Sequence, residues 1–127
     1  MTSIGGSAFY DCDSLTEVRI PAGVTKIENS TFAYCDSLVK VDLPDGISSI
    51  GSNAFEGCKQ LTEITVPEPV TSIGSYAFYN CTSLTEANLI ANVATRAFSG
   101  CTSLTGITIP DSVTSIDRYA FDGCTSL

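Results

Sequence analysis

Residues 60–81 read QLTEITVPEPVTSIGSYAFYNC. Leu61, Ile64 and Val66 follow the spacing L-x-x-I-x-V, and the alternation Ile64-Thr65-Val66 is the period-2 pattern of a short strand with one buried face. Pro67 has no amide donor and so belongs at the strand's end. Val70 and Ile73 mark a second short extended piece with both side chains inward. Gly74 permits a turn, after which Ala77, Phe78 and Cys81 pack on one side of the chain. Cys81 lies three residues after Phe78 and four after Ala77, which predicts a single helical or 3₁₀ turn.

The same phrase recurs along the chain. Phe9, Phe32, Phe55, Phe78, Phe98 and Phe121 are spaced 23, 23, 23, 20 and 23. Cys12, Cys35, Cys58, Cys81, Cys101 and Cys124 each stand three residues after a Phe, and Leu15, Leu38, Leu61, Leu84, Leu104 and Leu127 three after that. A unit of 23 residues cannot bury its Leu, Ile, Val, Ala and Phe alone. Stacked copies bury them against each other. Like positions then form columns, with strands ~4.8 Å apart in a parallel sheet. The expected architecture is one repeat solenoid over residues 1–127, of about five and a half repeats.

The pattern L-x-x-I-x-[IVL]-P-x-x-V-x-x-I-x-x-x-A-F-x-x-C resembles the bacterial and protist leucine-rich repeats of the BspA-like, or Treponema pallidum, type. It covers essentially the whole chain. The resemblance implies a right-handed, curved leucine-rich-repeat solenoid with a parallel β-sheet on its concave face. It also implies a surface or secreted protein acting in adhesion and protein binding.

Composition excludes several function classes. Fourteen acids against six bases give a net charge of −8, the opposite of a nucleic-acid footprint, and an anionic membrane surface would repel the chain. No apolar run is long enough to span a bilayer. The chain starts MTSIGGSAF, without the basic and apolar regions of a signal peptide. Histidine is absent, which removes Ser-His-Asp and Cys-His catalysis and the commonest transition-metal ligand. Carboxylates could cleave glycosides, but here they scatter along the repeat. The chain is therefore read as a non-enzyme without cofactor or metal.

Two departures break the lattice. Between Leu84 and Phe98 three residues are missing, Ala87 replaces the strand Ile, and the Pro67 and Val70 slots have no clear counterparts. Val93 falls in the Ile73 slot. The shortening is either a tolerated loop deletion or a notch that shapes a binding surface. Thr31 sits in the alanine column, where its hydroxyl needs a backbone carbonyl.

The cysteines weigh against chemistry. Parallel columns hold Cβ atoms at about the strand spacing, beyond the ~3.5–4.5 Å a disulfide usually needs. Metal ligands must converge from several directions, and burial raises a thiol's pKa. Cys12, Cys35, Cys58, Cys81, Cys101 and Cys124 are expected to form a ladder of free thiols that act as small buried hydrophobes with a weak donor.

Side chains alternating outward on the strands are the candidate binding residues. One column reads Glu17, Lys40, Glu63, Glu86, Gly106, and the other Arg19, Asp42, Thr65, Asn88, Thr108. These either satisfy each other as cross-strand pairs (Glu17–Lys40, Lys40–Glu63, Arg19–Asp42) or form a polar concave surface that recognises a protein or glycan. The uncharged tract Thr65, Asn88, Thr108 is its most ligand-ready part. Tyr10, Tyr34, Tyr76, Tyr79 and Tyr119 gather around the Ala-Phe turn on the convex side.

The leading expectation is a protein-interaction or adhesion module. The alternative is a structural spacer that assembles through its ends. Met1 and Ile4 align with Val70 and Ile73, and Cys124 and Leu127 fall on core slots. Neither end carries a polar capping unit, so a fragment of a longer array and end-to-end association are both expected.

Overall fold

The computed structural model describes residues 1–88 and 92–127. Each repeat contributes two short extended pieces. In chain order they are β1 (Glu17–Arg19), β2 (Lys26–Ile27), β3 (Lys40–Asp42), β4 (Ser49–Ile50), β5 (Glu63–Ile64), β6 (Ser72–Ile73), β7 (Glu86–Asn88), β8 (Asn92–Val93) and β9 (Gly106–Thr108). All pairings are parallel, and together they build the β-solenoid expected from the repeat.

The odd-numbered strands form the concave side, as two sheets, β1-β3 and β5-β7-β9. Where the ladder is interrupted, Thr62 N–H still reaches the Val39 carbonyl at 3.4 Å. The even-numbered strands form a continuous sheet, β2-β4-β6-β8, which a bridge from Val93 to Ile116 extends into the last repeat. Its register stacks Ile27, Ile50, Ile73 and Val93 in one buried column.

The Ala-Phe segments form the third column, and here the expected helical turn is corrected. No helix occurs among the described residues. Alternate amides leave the segment and donate to the next repeat: Ser30 N–H to Ser52 O (2.9 Å), Phe32 N–H to Ala54 O (2.9 Å) and Tyr34 N–H to Glu56 O. The amides between them close turns onto the carbonyl three residues back, such as Ala33 to Ser30 and Cys35 to Phe32. A helix needs every amide for its own axis, so the two patterns exclude each other. The residues two before and two after each Phe adopt positive φ, from Ser7 (57°) and Asp11 (59°) to Tyr119 (59°) and Gly123 (75°). Nine of these residues are not glycine. Left-handed backbone costs roughly 1–2 kcal/mol per such residue, a cost sustained by the inter-repeat bonds and by the packing beneath them.

That packing is a stack of rings. Successive Phe side chains lie 5.1–5.6 Å apart between centroids, with their planes within 4–11° of parallel. Phe32, Phe55, Phe78 and Phe98 are fully buried, while Phe9 and Phe121, in the outermost layers, are half-buried. Thr31 is buried in the alanine column and donates its hydroxyl to the Glu28 carbonyl at 2.8 Å, as its slot requires.

The short repeat keeps both ladders in register. Ala87 pairs with Ile64 and Ile107, Val93 with Ile73 as anticipated, and Phe78 N–H donates to Ala97 O at 2.7 Å. The missing residues are therefore absorbed between Asn88 and Asn92. The shortened corner itself, and with it the possible notch, lies outside the described residues.

Candidate functional site

The concave face divides into two halves of different character. On β1 and β3 the register places Glu17 beside Lys40 and Arg19 beside Asp42. Only the second of these becomes an ion pair, Arg19 Nε to Asp42 Oδ2 at 3.8 Å. The Lys40 ammonium turns along its own strand to Asp42 Oδ1, 3.9 Å away. Among the described residues it pairs with neither Glu17 nor Glu63. Two residues apart on one strand, Lys40 and Asp42 share a face, and Asp42 thereby gathers two cations. β3 and β5, which carry Lys40 and Glu63, belong to different sheets. The cations are exposed and the Asp42 side chain is 47% exposed, so such pairs contribute little stability.

The other half, on β5, β7 and β9, is an open trough of 560 Å³. Its floor is the backbone of Ile64, Ala87 and Ile107, and its walls carry Glu63, Thr65, Glu86, Asn88 and Thr108. Glu63 and Glu86 are register neighbours, with Gly106 opposite Glu86 on the far strand. Among the described residues neither carboxylate has a cation within ion-pair distance. Thr65 and Thr108 are exposed. The parallel pleat brings Thr65, Asn88 and Thr108 together as the sequence pattern implied, because residues two apart share a face.

Asn88 has a structural role that its column position did not reveal. Its Oδ1 accepts the Val66 N–H and its Nδ2 donates to the Val66 carbonyl, both at 2.9 Å. A carboxamide has the donor and acceptor of a peptide group, so Asn88 continues the ladder where β5 has ended. That the column has its one Asn at this position was the only available signal.

The cysteine column is a second constellation. Cys35, Cys58, Cys81 and Cys101 are fully buried, Cys12 and Cys124 half-buried, and all six are free. Each thiol after the first donates to the carbonyl of the preceding repeat's phenylalanine: Cys35 to Phe9 at 3.0 Å, Cys58 to Phe32, Cys81 to Phe55 and Cys124 to Phe98 at 3.1 Å, and Cys101 to Phe78 at 3.2 Å. That carbonyl also accepts the amide of its own repeat's cysteine. Burial pushes the Cys101 thiol up to about 12 and raises Cys35, Cys58, Cys81 and Cys124 as well. Such thiols are poor nucleophiles and poor ligands. Among the described residues no cluster of potential metal ligands forms. Under native conditions a thiol reagent should modify Cys12 first and Cys124 second, leaving four protected until urea is added; rapid native reaction of all six would contradict the buried ladder.

The tyrosines make three local contacts. Tyr10 and Tyr34 meet edge to face at 5.6 Å, and so do Tyr76 and Tyr79 at 5.3 Å, while the Arg96 guanidinium lies over Tyr119 at 4.9 Å. Tyr34 donates its hydroxyl to Glu56 Oε1 at 2.8 Å, and this bond pushes its pKa up to about 12.

Residues 2–127 match the BspA type leucine-rich repeat region, in six copies. The solved structure of the Treponema pallidum leucine-rich repeat protein is similar at 29% identity and a TM-score of 0.78, over 99% of this chain and 71% of that one. A leucine-rich repeat protein from Bacteroides ovatus is similar at 34% identity and 0.86, over 99% of this chain and 39% of its own. A leucine-rich cell surface protein from Faecalibacterium prausnitzii gives 33% and 0.70, over 95% and 42%. The chain thus spans about two fifths of the latter two. No curated protein sequence matches it. No helix among the described residues is long and apolar enough to cross a membrane.

Proposed function

Because the chain belongs to the BspA-type leucine-rich repeat family, a family typical of protein-interaction modules, we propose that it is a non-enzymatic adhesion module of a surface or secreted protein. It binds a protein or glycan through the concave trough of β5, β7 and β9. The observation that carries this reading is the contrast between the two halves. On β1 and β3 Arg19 and Lys40 both engage Asp42, whereas on β7 and β5 Glu86, Glu63 and Thr65 face solvent around an open depression of 560 Å³. Extended solenoid faces suit such recognition because many weak contacts add along a rigid curve. A surface setting draws support from the Faecalibacterium relative, itself a cell surface protein.

The test is binding to an array of extracellular-matrix proteins and glycans, followed by variants against any hit. Thr65→Arg and Thr108→Arg fill the trough without disturbing the core and should weaken binding at least roughly tenfold, as obstruction of a central contact does. Tyr119→Ala, on the turn column, should leave it unchanged. Binding indifferent to both trough variants would place the interface elsewhere.

A further inference from the structure

The trough has a chemistry that narrows its partner. Glu63 and Glu86 hold the same register position on neighbouring strands, about 4.8 Å apart. Like charges set directly opposite each other are destabilising. Lys40, the one cation in their column, is drawn instead to Asp42 at 3.9 Å. On the other side of Glu86, Gly106 contributes no side chain. Both carboxylates are exposed, and their mutual repulsion meets no cation among the described residues.

Two residues further along the strands, about 6.6 Å away, the second row of the trough is uncharged. Thr85 and Thr105 on the rim donate their hydroxyls to the carbonyls of Thr62 and Thr85. The hydroxyls of Thr65 and Thr108 are exposed and make no such bond among the described residues. None of the residues lining the trough is aromatic, which leaves a sugar ring no face to stack on. We propose that this sheet face takes an extended segment of a basic protein, with one arginine gripped between Glu63 and Glu86. A serine or threonine two residues away then lies over Thr65 and Thr108. The inference rests on the trough being the binding surface. A guanidinium suits the carboxylate pair because its planar fork can donate to both at once, whereas an ammonium is a point charge. Alternate residues of an extended peptide share a face at the same spacing that separates the two rows. The net charge of −8 favours the approach of a basic partner.

The probe is the acetylated and amidated peptide Gly-Thr-Ser-Arg-Ser-Thr-Gly, which carries threonine two residues to either side of one arginine. It is titrated at low salt into the 127-residue chain and followed by amide chemical shifts. Saturable shifts should centre on β5 and β7 and weaken as salt screens the charges. Glu63→Gln and Glu86→Gln, both at exposed positions, should each weaken binding about fivefold, as loss of one exposed charge pair does. Glu28→Gln makes the same charge change at an exposed position beside β2 and should leave binding unaltered. Lysine in place of the peptide's arginine should bind more weakly, and uncharged citrulline not at all. No saturable binding, indifference to both trough variants, or equal binding of the arginine and citrulline peptides would each overturn the proposal. If the peptide fails while Thr65→Arg still weakens a ligand found by screening, the arginine assignment falls and the trough stands. If Thr65→Arg and Thr108→Arg also leave that ligand's binding unchanged, the trough reading falls with it.

Discussion

Phe55→Ala and Phe78→Ala will each lower the unfolding free energy by roughly 3–5 kcal/mol, the range for deleting a buried ring. Both rings are fully buried and stacked on both sides, at 5.5 and 5.3 Å for Phe55 and 5.3 and 5.1 Å for Phe78. Removing one leaves a gap between two faces that the flanking ladders hold apart, so the column cannot collapse to fill it. Tyr10→Ala, at a 51% exposed position, should cost well under half as much. Whole-array stability of this size is about 5–15 kcal/mol, so the Phe variants approach the threshold of unfolding. Urea denaturation of the three variants decides the matter, and equal shifts would refute the ring stack as the principal source of stability.

The second large effect is alkaline unfolding. The buried thiols of Cys58, Cys81 and Cys101 have folded pKa values raised by desolvation above their ordinary value of 9.0, Cys101 to about 12. The folded protein therefore keeps these protons when the unfolded chain has released them. Below pH 9 both states are protonated and the stabilisation is fully present. Above it the unfolded state is favoured progressively, until the folded thiols themselves ionise at their raised values, about 12 for Cys101. Each thiol contributes a fall of up to about 1.4 kcal/mol per pH unit in that window, and three together about 4. Tyr34, raised to about 12 by its bond to Glu56, acts in the same direction above its ordinary value of 10.0. Urea unfolding between pH 8 and 11 should show stability level at first and then falling steeply, with Cys81→Ala shallower by about one thiol's share. A stability unchanged between pH 9 and 11 would mean that the thiols titrate freely in the folded state.

Much of the fold was legible because burial recurs with the repeat. The identity of Phe78, Cys81 and Leu84 with their counterparts 23 residues earlier places them in shared columns before any geometry is known. The alternation Ile64-Thr65 places one residue in the core and the other in the trough. The departures at Thr31 and Val93 were legible for the same reason, since a broken pattern names the slot that must be satisfied. The candidate trough was half legible: its residues followed from the pleat, but its limits did not. Cross-strand proximity predicted three ion pairs equally, and only the actual positions of the Lys40 and Arg19 side chains gave both to Asp42.

By itself, then, the sequence determined the period, the columns and the residues that fill them, because apolar side chains must be removed from water whatever the backbone between them does. Tertiary structure alone decided the backbone of the Ala-Phe turn, the carbonyl that receives each thiol, and the grip of Asn88 on Val66. The spacing of Ala77, Phe78 and Cys81 suits a helical turn as well as the observed one. What separates them is the neighbouring repeat, whose carbonyls draw alternate amides away from the local axis and hold Tyr76 and Asn80 at positive φ. An amide satisfied by a partner some twenty residues away leaves no local trace in the chain that carries it.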